Sequence, residues 1–223
     1  MSTGQPPPDP RTTRLILVRH GESAVQVSRV VGGPLGCRGL SELGRRQVEA
    51  LRDRWLRSGM HGDHLVASTL PRAQETAELL RPALAGLPVV IDAEVHELDP
   101  GECDGITWDD YVELYDVDPR ADPYTPLSPG GESLADFFVR VGRALHRLAT
   151  SHVGETVIVA CHGGVIDASI ATFLGLPTQR GSTYGLHTTN ASITEWRATV
   201  SPGQAVHWSL VRYNDAAHLD LVE

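Results

Sequence analysis

The sequence predicts an α/β fold: a three-layer α/β/α sandwich around a largely parallel central sheet. Three observations carry that expectation. Short unbroken apolar runs at 14–18, 64–67, 89–91 and 156–160 read as strands, the first and last covered on both faces. Segments with apolar residues at helical spacing alternate with them, as a layered α/β domain requires. No linker and no internal repeat divides the 223 residues, a length suited to one sizeable domain.

The elements follow in order. Residues 1–12 are polar and proline-rich and read as a disordered tail ahead of a single domain at 13–223. The run at 14–18 ends in Arg19-His20-Gly21-Glu22-Ser23, and a glycine-rich loop follows. Ser41 suits the cap of a helix whose apolar positions are Leu43, Val48, Leu51 and Trp55. Strand 64–67 leads into Ser68-Thr69-Leu70-Pro71. Pro71 fits a first helical turn, and Ala73, Ala77, Leu80 and Leu84 supply that helix's stripe. Strand 89–91 leads to His96 and Glu97. From 99 to 122 there are nine acids against one base, Arg120; this is the heart of a lid-like insertion at about 99–128, with one helix near 109–115. Ser133 caps a helix with Leu134, Phe137, Phe138, Val141, Leu145 and Leu148 on one face. The run at 156–160 precedes a helix at 165–174, and 192–196 and 205–211 alternate like half-buried strands.

Composition excludes several classes. A net charge of −9 disfavours a nucleic-acid backbone or an anionic membrane as partner. All 19 basic residues are arginine, so no P-loop lysine, Schiff-base lysine or pyridoxal-phosphate attachment exists. Cys37, Cys103 and Cys161 are odd in number and far apart, which argues against a disulfide framework or a thiolate zinc site. Cys161 reads as a small buried side chain. The most apolar window, 157–176, is broken by His162, Gly163, Gly164 and Asp167 and does not read as a membrane span. A soluble cytoplasmic protein is expected. His61-Gly62-Asp63-His64 reads as a solvated loop, and neither a metal site nor a cofactor is expected.

In parallel α/β sheets the ligand lies outside the carboxyl ends of the strands. Three strands end in candidate chemistry: Arg19-His20, Ser68 with Arg72 beyond, and Cys161-His162-Gly163; Glu97 follows the other. Two arginines and two histidines converging on one edge suit a phosphoryl group, whose oxygens match guanidinium forks. A neutral imidazole attacks phosphorus through one ring nitrogen when a backbone carbonyl holds the hydrogen on the other. Charge on the equatorial oxygens falls to Arg19, Arg72 and a protonated His162. The leaving alkoxide needs a proton, which Glu97 can deliver before activating a water. The insertion is expected to flank the pocket mouth, disfavouring highly anionic substrates, while Trp108, Tyr111, Tyr115 and Tyr124 offer stacking or apolar contact.

The sequence resembles the histidine phosphatase (phosphoglycerate mutase-like) superfamily. The matching pieces, in the family's order over roughly 14–177, are Leu17-Val-Arg-His-Gly-Glu-Ser23, Gly39-Leu-Ser-Glu-Leu-Gly-Arg45, Ser68-Thr-Leu-Pro-Arg-Ala-Gln-Glu-Thr-Ala77, Glu97-Leu-Asp-Pro-Gly-Glu-Cys-Asp-Gly105, Gly130-Gly-Glu-Ser133 and Ala160-Cys-His-Gly-Gly-Val165. The resemblance implies that His20 is phosphorylated, that Arg19, Arg72 and His162 bind the phosphoryl group, and that Glu97 is the acid/base. Gly21, Ser23, Gln26, His96 and Gly163 join them as candidate substrate contacts. Two departures stand out: Gln26 where many members have asparagine, and His96 where many have arginine. One arginine among nine acids in the insertion favours a phosphatase acting on a small phosphorylated metabolite over a phosphomutase, with a non-catalytic phospho-ligand module as the remaining alternative.

Overall fold

The computed structural model describes residues 11–115, 118, 121–176, 185–201 and 203–220. Six strands form one sheet: β1 (Thr12–Arg19), β2 (His64–Ala67), β3 (Val89–Ile91), β4 (Thr156–Cys161), β5 (Ile193–Thr199) and β6 (His207–Asp215). Their order is β3-β2-β4-β1-β5-β6. The first four in that order are parallel; β5 and β6 are antiparallel to their neighbours. The register sets Arg19 beside Cys161, and Ala67 beside both Ala160 and Ile91. Four carboxyl ends are therefore aligned along one edge.

Side-chain alternation along the strands builds the layers. Leu15, Leu17, Val157 and Val159 pack against α5 (Leu134–Ser151) and α6 (Gly163–Phe173) through Phe137, Val141, Leu145, Val165 and Ile166. Ile16, Val18, Ile158 and Ala160 face the opposite way, onto Val48, Leu51 and Trp55 of α2 (Glu42–Ser58) and Ala77 and Leu80 of α3 (Pro71–Leu80). Local chemistry starts and stops these helices. Ser41 Oγ accepts the Gly44 N–H and Ser133 Oγ the Asp136 N–H. Pro71 occupies the first turn of α3, and Gly59 ends α2 in the left-handed region at φ 64°.

Several boundaries differ from expectation. The strand at 14–18 begins at Thr12, whose hydroxyl lies 3.1 Å from that of Thr199, so the tail ends earlier than 1–12; residues 1–10 lie outside the described residues. Strand β5 is buried almost throughout, because it lies between β1 and β6 and packs Trp196 into the core. Helix α6 begins at Gly163 with His162 as its cap, two residues ahead of the expected start. The insertion folds around a small cluster of Val31, Cys103, Tyr111 and Leu127, with one short helix, Trp108–Leu114, capped by Thr107. Asp104 accepts the N–H groups of Gly33, Leu35 and Gly36 and so ties the insertion to the glycine-rich loop. Among the described residues, no helix is long and apolar enough to cross a membrane.

Candidate active site

Strand β1 delivers His20 into the sheet edge, and the backbone grips it from both sides. Its N–H donates to Cys161 O at 2.9 Å, while its carbonyl accepts from Ala191 N at 3.2 Å and Asn190 Nδ2 at 3.0 Å. The ring is 4% exposed. Nδ1 lies 2.6 Å from Gly21 O, so that nitrogen carries the hydrogen and Nε2 presents its lone pair. Arg72, at the start of α3, donates from Nε to that lone pair at 3.1 Å and from Nη1 to Gly32 O at 2.7 Å. Burial, then the Arg72 charge, holds the His20 imidazole well below its ordinary value of 6.5, which keeps the ring neutral.

His162 lies behind His20, with ring centroids 5.2 Å apart. It is fully buried, and its Nε2 lies 2.7 Å from Ser68 Oγ. Ser68 Oγ also accepts the Leu70 N–H at 3.1 Å. The other ring nitrogen, Nδ1, is buried without a partner. A protonated His162 was expected; instead burial, then Arg72 and His20, hold it well below 6.5. The ring is therefore neutral and carries a single N–H.

Arg19 donates from Nη1 to Thr188 O, and its Nε is a second buried donor without a partner. Burial draws its guanidinium below the ordinary value, with Glu97 and Asp167 opposing. Glu97 stands over the start of α6. Its Oε2 accepts the Gly164 N–H at 3.1 Å and its Oε1 the Leu98 N–H at 3.0 Å, which leaves lone pairs on both oxygens for a proton. Glycine at 164 permits this close approach: a Cβ there would sit 2.2 Å from Glu97 Oε1 and displace the carboxylate.

A cavity of about 850 Å³ opens over these groups. Arg19, His20, Ser23, Gln26, Arg72, Glu97 and Gly163 all line it, so the structure brings together distant parts of the sequence. Gln26 and Asn190 form a reciprocal amide pair, at 3.3 and 3.1 Å, and Ser23 donates to Gln26 Oε1 from both N–H and hydroxyl. The Ser23 hydroxyl is thus committed to Gln26.

Three expected contacts are not on the cavity wall: His162 is fully buried behind His20, and Gly21 and His96 lie elsewhere. Gly21 does not line the cavity: its N–H donates to Thr76 Oγ1, and a Cβ there would meet Gly44 O at 2.3 Å. It is glycine because α2 packs against it. His96 is also off the cavity wall, with Nδ1 on the Glu97 carbonyl and Arg140 3.4 Å away. The acidic mouth is corrected as well. Among the described residues none of the insertion's acids lines the cavity; Pro100, Trp108 and Leu127 do, together with Leu134, Phe137 and Phe138 of α5. Tyr111 is buried in the insertion's own cluster, and Tyr124 is exposed.

Sequence reasoning missed Asn190 and Arg140. Arg140 grips Glu132 through two bonds of 2.9 and 2.7 Å and donates to the carbonyls of Glu94 and His96, fixing the segment that carries Glu97. Neither residue follows a strand or sits in a short motif, so no local signal marks it.

The chain belongs to the histidine phosphatase superfamily: it matches the family model "Histidine phosphatase superfamily (branch 1)" over residues 15–215. It is 32% identical over 161 residues to phosphoglycerate mutase-like protein 4 of Arabidopsis thaliana, covering 68% of this chain and 67% of that one. It is 36% identical over 189 residues to a bifunctional protein of Mycobacterium tuberculosis, covering 82% of this chain but only 49% of the relative, so it spans about half that protein's length. Among solved structures, mycobacterial glucosyl-3-phosphoglycerate phosphatase superposes with TM-score 0.77 at 28% identity, covering 92% of this chain and all of the other. Bacillus stearothermophilus YhfR gives TM-score 0.79 at 27% identity, over 93% of this chain and 100% of that one.

Proposed function

We propose that the chain is a metal-independent phosphatase that hydrolyses a small phosphomonoester through a phosphohistidine on His20. The supporting observation is the His20 tautomer: Gly21 O holds the Nδ1 hydrogen, and the Nε2 lone pair faces the cavity between buried guanidiniums. A bound phosphoryl group takes over the Arg72 Nε hydrogen bond and frees that lone pair to attack. Nε2 forms the N–P bond as the ester P–O bond breaks, and Glu97 gives its proton to the departing oxygen. Arg19 Nε is an unpaired donor that meets the equatorial oxygens, and His162, its Nδ1 also unpaired, backs His20. Water then attacks phosphorus, Glu97 takes its proton, the N–P bond breaks, and phosphate leaves with His20 restored.

The apolar wall of Val25, Leu98, Trp108, Leu134 and Phe138 favours an ester whose leaving group carries apolar surface. Arg29 and His187 also line the cavity and favour the second reading, a phosphomutase with a second phosphate site. Phosphate release from a panel of phosphomonoesters, with chelator present and His20→Ala in parallel, tests the proposal. Release that survives chelation and disappears in the variant is expected. Interconversion of 2- and 3-phosphoglycerate faster than phosphate release would select the mutase reading, and uptake of no phosphoryl label would select the binding module.

A further inference from the structure

The opposite end of the sheet carries a second cluster. His64 opens β2, Glu155 immediately precedes β4, and His152 caps the end of α5. His64 Nε2 lies 2.8 Å and His152 Nδ1 3.1 Å from the same oxygen, Glu155 Oε2. The two imidazoles stack with centroids 3.9 Å apart and planes at 40°. Two imidazole nitrogens and a carboxylate oxygen therefore converge on one point, the donor set that ligates metals. We propose that His64, His152 and Glu155 form a binding site for one first-row divalent cation of the zinc type.

The ligand geometry supports this. The three atoms lie within 4.8 Å of one another. A tetrahedral ion with metal–nitrogen bonds of about 2.05 Å sets its ligand atoms roughly 3.4 Å apart, so the two nitrogen–oxygen separations need only open by a few tenths of an ångström. Two imidazoles and one carboxylate suit zinc better than the all-oxygen preference of calcium or magnesium. The side chains are 35%, 27% and 46% exposed, which leaves the fourth position to water.

Sequence spacing hides the site. His61, the histidine beside His64 in sequence, pairs with Asp63 instead at 3.1 Å. His64 meets its partners only because β2 and β4 pair in a register that sets His64 opposite Val157. Four residues of strand, about 13 Å, separate this end of β2 from Ser68. A bound ion therefore ties α5 to the starts of two core strands without entering the reaction.

Zinc alone, added to the chelator-stripped full chain, tests the site by calorimetric titration and thermal unfolding. One equivalent is expected to bind and to raise the melting temperature in both wild type and His20→Ala. The shift should vanish in the His64→Asn/His152→Asn double variant. Glu155→Gln keeps the acceptor's shape and should weaken binding at least about tenfold, since even loss of an outer-shell partner costs about that much. Cobalt in place of zinc should give the visible absorption of a four-coordinate site. An undiminished zinc shift in the double variant would overturn the proposal, and so would its loss in His20→Ala, which would put the ion in the catalytic cavity. Circular dichroism of the metal-free variants establishes that each is folded, and if the double variant is not, Glu155→Gln decides alone.

Discussion

Ser68 Oγ lies 2.7 Å from His162 Nε2 while accepting the Leu70 backbone N–H, so the end of one strand holds the histidine at the end of another by a hydrogen bond. Ser68→Ala removes that hydrogen bond. One hydrogen bond is worth about 1–1.5 kcal/mol, so kcat should fall about tenfold with KM little changed. Ser68→Thr, which keeps the hydroxyl, should recover part of the loss. Steady-state kinetics of both variants check this; equal losses in the two would mean that packing, not the hydrogen bond, matters.

Glu97→Gln separates the two halves of the reaction. An alkyl ester needs a proton on its leaving oxygen and should lose roughly 10²–10⁴-fold in rate. A nitrophenyl ester needs none, so its first turnover should survive while the phosphohistidine accumulates. A burst of nitrophenolate followed by slow turnover is the expected trace.

Gly164→Ala tests the close approach at the start of α6. The added methyl, built 2.2 Å from Glu97 Oε1, must push that carboxylate off the helix. Turnover should fall much further than the melting temperature, because only the carboxylate has to move. Parallel melting and kinetic measurements check the split.

Arg140 and Glu132 are only 16% and 15% exposed, and Arg140 holds three carbonyls of the segment ending in Glu97. Arg140→Ala strands Glu132 and frees that segment; a loss of about 3 kcal/mol in stability is expected. Arg140→Met/Glu132→Leu should restore much of the stability but not the turnover. Denaturant unfolding beside activity measurements separates the two effects.

Acid should weaken the fold through its buried histidines. His20 and His162 are held well below 6.5, and His218 is lowered to about 4 by burial and then Arg54. Unfolded histidines take up protons below about 6.5 and these do not, so stability is full above that pH. It falls as pH drops through 6.5 and goes on falling to about 4 for His218, by about 1.4 kcal/mol per unit for each histidine. The acid limb of kcat/KM should likewise lie well below 6.5, because His20 stays neutral there. Unfolding and rate profiles from pH 8 downward check both, taking about 6.5 as the reference.

Much of this was legible because the chemistry hangs on strand ends. His20, Arg72, Glu97 and His162 each follow an apolar run, and parallel pairing brings the ends of such runs to one edge. What was not legible depends on contact across the fold. Gly21 looked like a phosphate contact, yet Gly44 claims its space. The insertion's acids looked like a charged mouth, but residues such as Asp104 spend their carboxylates on backbone N–H groups, and Trp108 and Leu127 turn inward instead. Composition gives a segment's charge; only the pairing shows where that charge points.

The insertion's separate small core has a further consequence. Val31, Cys103, Tyr111 and Leu127 form a cluster of their own, joined to the layer behind α5 through Leu98, so the part of the cavity wall that the insertion supplies belongs to a unit that can open apart from the sheet edge. In hydrogen exchange, amides from 103 to 115 should open at lower free energy than the His20 amide, which is pinned to the central strands. Grafting another relative's insertion onto this sheet should therefore exchange one substrate preference for another while the phosphoryl chemistry carries on unchanged.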